Sequence, residues 1–113
     1  LNSNLMYKTY TVTGVGSTIT GSDLKANEYD VKLNLIMTAI NSASTWEWVT
    51  VANIPSGLAP AITLQKHILF YNSATGNYKI GSVRLTLLGE VQIYSTESVS
   101  GLGMGIAFEY VRK

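Results

Sequence analysis

The sequence predicts an all-β fold, a small antiparallel β-barrel or sandwich of about seven strands. Three observations carry this. Runs rich in β-branched and aromatic residues recur along the whole chain, bounded by Gly, Asn, Ser and Pro, at the spacing of roughly 8–12 residues that marks sandwiches and barrels. No window keeps apolar residues at three- and four-residue spacing beyond two turns, and the best helical candidate, Leu33 to Ile40, continues an alternating stretch of strand formers. The two Pro and ten Gly fall nearly all at the breaks, so turn chemistry and strand pattern agree.

The elements follow in order. Tyr7 to Val15 reads as a strand, with Thr9, Thr11 and Thr13 alternating with Tyr10 and Val12. Thr18 to Lys25 is a shorter candidate with Gly21 inside it. Tyr29 to Ile40 places Val31, Leu33 and Leu35 on one face and Asp30, Lys32 and Asn34 on the other. The apolar run Leu35-Ile36-Met37 then implies a bulge or burial on both faces. A turn from Asn41 to Thr45 leads to Trp46–Ala52 as a strand, and a break runs from Asn53 through Pro60. Ile62 to Tyr71 and Tyr78 to Leu87 flank a hairpin loop, Asn72 to Asn77, with Gly76 suited to the left-handed position. Leu88-Gly89-Glu90 turns the chain into Val91–Ser95, and Met104 to Arg112 is the last strand. Counted with Thr18 to Lys25 as the second and with Tyr78–Leu87 turning into Val91–Ser95 as the sixth, this makes about seven strands. No internal repeat or linker is present, so one domain is expected over residues 1–113.

Composition narrows the function classes. Of the 113 residues, 46% are hydrophobic and only 13% charged, about half the ~25% charged residues of ordinary soluble domains. Ser and Thr supply 23 residues and Asn eight, so hydroxyls and amides must wet the surface. The net charge is +1 and the basic residues are scattered, with none of the basic stripe that nucleic acid demands. No apolar run approaches the ~18 residues of a membrane-spanning helix. Cysteine is absent, which removes disulfides and thiolate chemistry. The chain opens Leu1-Asn2-Ser3-Asn4, with no Met, basic region or apolar leader, and is expected to be a fragment of a longer protein.

Catalytic chemistry is hard to assemble, and a non-enzyme without a cofactor is expected. There is one His, His67, and no Gly-x-Ser-x-Gly elbow. The two Asp and five Glu are dispersed, without the clustering that a metal site or a paired-carboxylate hydrolase needs. Gly14-Val15-Gly16 and Gly101-Leu102-Gly103-Met104-Gly105 lack the strand–Gly–helix context of a phosphate cradle.

A few residues could bind a ligand. Trp46 and Trp48, two apart on one predicted strand, point the same way, either as an apolar platform for a sugar ring or as core-edge or interface packing. His67 shares its face with Gln65, Leu69 and Tyr71, opposite Leu64, Ile68 and Phe70, and is either solvated or ligand-binding. Arg84 and Thr86 look off the core face that Val83, Leu85 and Leu87 define. The planar guanidinium suits vicinal hydroxyls, carboxylates and phosphates, unless Glu90 or Glu109 neutralises it in a surface ion pair. In the last strand Ile106, Phe108 and Tyr110 form one face and Ala107 and Val111 line the other, leaving Glu109 in need of a partner. Apolar residues on both faces of several strands imply burial by oligomerisation.

The order of these features resembles a known family. An alternating strand, Val31-Lys32-Leu33-Asn34-Leu35, leads through a polar turn to the aromatic strand Trp46–Val51. A hydrophobic-Pro element follows, Ile54-Pro55-Ser56-Gly57-Leu58-Ala59-Pro60. After a Gly-containing hairpin comes a strand–Gly–strand unit, Val83 to Tyr94 around Gly89. Over residues 30–113 this is similar to the C-terminal head domain of receptor-binding proteins at the tail tip or baseplate of siphophages that infect lactococci and related Gram-positive bacteria. The resemblance implies a small β-barrel head that forms a homotrimer on upstream stalk and baseplate proteins of the virion. It also implies host attachment through cell-wall or surface polysaccharide, with sites near the protomer interfaces. The family pattern carries a His-x-Asp pair before the Gly and a Trp after it. Here Arg84 and Thr86 stand in place of the pair and Tyr94 in place of the Trp, which points to a different saccharide. The saccharide-binding candidates are therefore Arg84, Thr86, Tyr94, His67, Trp46 and Trp48. Two other readings fit the composition. One is a structural trimerisation module of a tail fibre or baseplate with no glycan site. The other is a protein-binding sandwich like the complement and tumour-necrosis-factor ligands.

Overall fold

The computed structural model describes residues 6–41 and 44–113. The opening Leu1-Asn2-Ser3-Asn4 and part of the predicted turn Asn41 to Thr45 lie outside the described residues. Nine strands are formed among the described residues: β1 Lys8–Tyr10, β2 Thr13–Gly14, β3 Thr18–Ala26, β4 Asp30–Ala39, β5 Val49–Asn53, β6 Leu64–Asn72, β7 Asn77–Leu85, β8 Glu90–Tyr94 and β9 Met104–Val111. Among the described residues a 3-10 turn spans Ser56–Leu58.

Every pairing is antiparallel, and the strands make two sheets ordered β1-β3-β4-β9 and β2-β5-β8-β7-β6. The all-β expectation holds. The barrel form of it does not: two separate sheets face each other as a sandwich. Where β6 and β9 approach at the seam, one bridge, Tyr71 to Gly103, exchanges both backbone hydrogen bonds. Lys66 also reaches across, donating to the Ala107 carbonyl with its ammonium over the Phe108 ring. Beyond that bridge the two edge strands pair only within their own sheets, β9 with β4 and β6 with β7.

Alternation decides which face is buried. Val31, Leu33, Leu35 and Met37 of β4 face Val83, Leu85, Val91 and Ile93 of the second sheet across the core, with Phe70, Met104 and Phe108 between. All of these side chains are essentially removed from water. At Leu35-Ile36-Met37 the alternation simply continues, and Ile36 is exposed. The β3–β4 ladder is irregular just beyond it in both strands: Thr18 pairs with Ala39 and Ile19 with Met37, which leaves Thr38 extra in β4, and Gly21 pairs with Ile36, which leaves Thr20 extra in β3.

The predicted first strand is a correction of a different kind. It is cut at Thr11-Val12, where Val12 turns into the core and the chain passes from the first sheet to the second. The Asn72–Asn77 loop behaves as its composition predicts. The Asn72 side-chain carbonyl accepts from the Ala74 and Thr75 amides, and Gly76 takes a positive φ of 71°. Glu109 finds its partner in Lys32, 3.8 Å away on the neighbouring strand. The pair is solvent-exposed and contributes little to stability.

Tyr110 closes one end of the core by donating its hydroxyl hydrogen to the Leu58 carbonyl. Burial pushes its pKa from the ordinary 10.0 up to about 12. A raised folded-state pKa means that the folded chain holds this proton more tightly than the unfolded one. The stabilisation is then fully present below the unfolded value and is lost as pH rises from 10.0 toward about 12. Thermal unfolding followed across that range should show a steep alkaline loss of stability, and Tyr110→Phe should flatten it.

No helix among the described residues is long and apolar enough to cross a membrane.

Candidate functional site

The core-averse face of the five-stranded sheet gathers most of the residues singled out above. Register places them in rows. Thr50, Gln92, Arg84 and Gln65 lie side by side across β5, β8, β7 and β6, and Tyr94, Ser82 and His67 form the next row. This face is outward because the intervening residues Val83, Leu85, Val91 and Ile93 are buried beneath it.

Arg84 is the centre of the arrangement. Its guanidinium carbon lies 4.2 Å from the centroid of the Trp48 ring, a cation–π contact. Trp48 in turn leans on Tyr94, with ring centroids 5.4 Å apart and planes tilted by 45°. Arg84 Nε donates to Gln92 Oε1 at 2.7 Å, and Gln92 Nε2 donates to Thr50 Oγ1 at 3.1 Å. The Thr50 hydroxyl donates onward to Glu90 Oε2 at 3.5 Å. No carboxylate pairs directly with Arg84 among the described residues. The ion-pair alternative with Glu90 or Glu109 is therefore not what the fold adopts. Glu90 is reached only through Gln92 and Thr50, and Glu109 belongs to the other sheet. The guanidinium is fixed on one edge by Gln92 and on its face by Trp48, and its terminal amino groups keep donor capacity for a ligand.

The other candidates occupy different positions around this centre. The Thr86 hydroxyl accepts from the Leu88 and Glu90 amides at 3.3 and 3.1 Å and donates to Glu90 Oε1 at 3.4 Å, holding the turn in which Gly89 takes a φ of 83°. His67 is exposed on β6, with Nδ1 3.3 Å from the Ser82 hydroxyl. Among the described residues no group of three His, Cys, Asp or Glu side chains is placed to hold a metal.

Trp46 departs from its expected place. β5 begins at Val49, so Trp46 and Trp48 do not share a strand face. Trp46 sits before the strand with a φ of 60° and is 69% exposed, while its backbone N–H donates to the Ser95 carbonyl at 2.8 Å. That bond anchors it beside the residue that follows Tyr94. A left-handed, solvent-exposed tryptophan carries backbone strain of about 1 kcal/mol or more with little packing to offset it. Trp46→Gly is accordingly expected to leave stability unchanged or raise it by up to ~1 kcal/mol. A thermal melt checks this, and a loss well beyond that size would show the indole to be a packing group.

The sequence offers Glu90 only as an ion-pair partner for Arg84 and does not mark Gln92 or Thr50 as members of this face. The alternation Glu90-x-Gln92-x-Tyr94 was a usable signal. What it lacked was the register, which a bulge on β5 sets by pairing Thr50 with Gln92 but Ala52 with Val91.

No family model and no curated protein matches the chain. Among solved structures, the head domain of phage bIL170, described with the receptor-binding domains of lactococcal phages, is similar with a TM-score of 0.70. The match covers 96% of this chain and 98% of that one at 15% sequence identity. It reaches beyond the segment 30–113 on which the sequence pattern rested. Two antiparallel sheets in this order, with this coverage, give the chain the fold of that phage head domain.

Proposed function

We propose that this chain is the head domain of a phage receptor-binding protein. In this reading residues 1–113 form one unit of a homotrimer, carried on upstream stalk and baseplate proteins at the tail tip of the virion. It attaches to the host through a saccharide of the cell envelope and has no catalytic role. The observation that carries the binding role is the Arg84 guanidinium laid over Trp48 beside Tyr94 with no carboxylate partner. Aromatic faces stack on the C–H faces of sugar rings, and a guanidinium edge offers paired donors to a carboxylate or phosphate. Together they favour an anionic glycan over a neutral one. Trp46, exposed and held by its backbone to Ser95, offers a second stacking surface, and His67 and Ser82 continue the row of Tyr94. Thr86 acts by holding the turn.

A structural trimerisation role is the second reading, and one observation favours it. On the same sheet face, Leu69 pairs with Ile80 and Tyr71 with Tyr78, and all four side chains are exposed. Such an apolar strip suits burial against a neighbouring protomer. One experiment separates the readings: host-cell adsorption and cell-wall polysaccharide binding by the domain, read with its mass in sedimentation. A trimer that adsorbs supports the receptor-binding reading. A trimer that binds no host polysaccharide supports the structural one, and a stable monomer at micromolar concentration overturns the assembly.

A further inference from the structure

A second polar cleft lies well away from Arg84, where β1, the β3–β4 turn and the residue after β9 meet. It has a volume of about 410 Å3 and is lined by Lys8, Tyr10, Ala26, Asn27, Glu28 and Arg112, with Met6 at its edge. Its position follows from register. Lys8 pairs with Ala26 and Tyr10 with Leu24, so both point to the side on which Ala26 and Leu24 are buried. Yet Lys8 is exposed. The first sheet therefore carries an exposed cation on its core-facing side, at the edge of the core.

The lining is rigid where it matters. The Asn27 side-chain carbonyl accepts from the Tyr29 and Asp30 amides at 2.8 and 2.7 Å, fixing the turn. Arg112 Nη1 donates to the Asn27 backbone carbonyl at 2.9 Å. Around this frame several groups make no hydrogen bond or ion pair among the described residues: the Lys8 ammonium, the Tyr10 hydroxyl, the Glu28 carboxylate and the remaining guanidinium N–H groups of Arg112. Two cations supply charged donors and one carboxylate supplies an acceptor, above a floor made by Ala26 and the Tyr10 ring. A cleft of this size takes a ligand of sugar dimensions.

We propose that this cleft binds a small hydroxylated anion, a phosphate or carboxylate borne on a sugar-sized polyol. Lys8 and Arg112 hold the anion, and Glu28 accepts from a hydroxyl. Glu28 also disfavours a bare dianion, so the hydroxylated ligand binds more tightly than its acid group alone. The proposal does not depend on the receptor-binding reading of the Arg84 face.

The test is a residue-resolved NMR titration of the 113-residue chain with glucose 6-phosphate, and with glucose and inorganic phosphate as its two halves. Saturating amide shifts are expected at Ala26, Asn27, Glu28 and Arg112, strongest for glucose 6-phosphate. Lys8→Ala should weaken that binding about tenfold, and Glu28→Gln should narrow the preference over inorganic phosphate. Both side chains are exposed, so the fold survives these changes. If Lys8→Ala also weakens binding to host wall polysaccharide, the anion is glycan-borne. If it does not, the ligand is a free small molecule. Shifts confined to the Arg84, Gln92 and Tyr94 amides, or none at the β3–β4 turn at millimolar ligand, overturn the proposal. Because each face reports through its own amides, failure here and failure of the receptor-binding reading are seen separately.

Discussion

Arg84→Ala is expected to lower binding to host cell-wall polysaccharide roughly thirtyfold, the equivalent of about 2 kcal/mol for charge-assisted hydrogen bonds to an anionic ligand. The fold should be unaffected, because the side chain lies on the outward face and closes no ion pair among the described residues. Arg84→Lys makes the sharper experiment. It keeps the charge but loses the planar fork and the guanidinium contact with the Trp48 ring, 4.2 Å away. Binding by Arg84→Lys should therefore fall nearly as far as with alanine if geometry matters, and should hold near wild type if only charge does. Raising the salt concentration should weaken the wild type more than Arg84→Ala, because screening acts on the charge that the variant lacks. Unchanged affinity in Arg84→Ala, measured by polysaccharide titration or adsorption to host cells, would remove this face from the binding role.

Gly81→Ala is expected to be the most damaging small substitution in the second sheet, costing about 3 kcal/mol. A methyl group there would collide with the Tyr94 carbonyl and with the Phe70 ring. Neither can give way. Tyr94 O is backbone in a paired strand, and Phe70 is fully buried. The consequence extends to the binding face, since Ser82, the next residue, is the strand partner of Tyr94. A displaced Tyr94 loosens the ring against which Trp48 rests. Gly105→Ala is the control, because a methyl group there meets nothing within 4 Å. Denaturant unfolding of both variants should give a large loss for Gly81→Ala and almost none for Gly105→Ala. Equal stabilities would mean that the two sheets are packed more loosely than described.

Much of the molecule could be read in one dimension. The buried faces of β4, β7, β8 and β9 follow directly from alternation: Val31, Leu33 and Leu35, Val83 and Leu85, Val91 and Ile93, Ile106 and Phe108 are all in the core. The outward placing of Arg84 and His67 comes from the same rule. Other features resisted. The first strand looks continuous, since Thr and Tyr alternate through it, but Val12 is drawn into the core and divides it between two sheets. The pair Trp46 and Trp48 looks like one strand face, but a left-handed residue at Trp46 breaks the period that the argument needed. The run Leu35-Ile36-Met37 suggested an irregularity within itself, whereas it keeps its alternation and the ladder slips just beyond it, at Thr38 in its own strand and at Thr20 in the partner.

The division has one physical source. The sequence by itself determined the all-β class, the inward and outward sides of the strands, the turn at Gly89 and the hairpin closed by Gly76, because these depend on side-chain period and local dihedral preference. Low charge belongs here too, and it left Arg84 conspicuous as a cation on an outward strand position. Only the tertiary structure decided that Arg84 stands between Gln92 and Trp48, that Tyr94 supports Trp48, and that Lys8 ends inside an open cleft. Each of those depends on strand register and sheet order, which bulges, turns and core packing set between residues far apart in the chain. A two-residue shift of β8 against β7 would keep every apolar side chain on the core face and still take Gln92 away from Arg84.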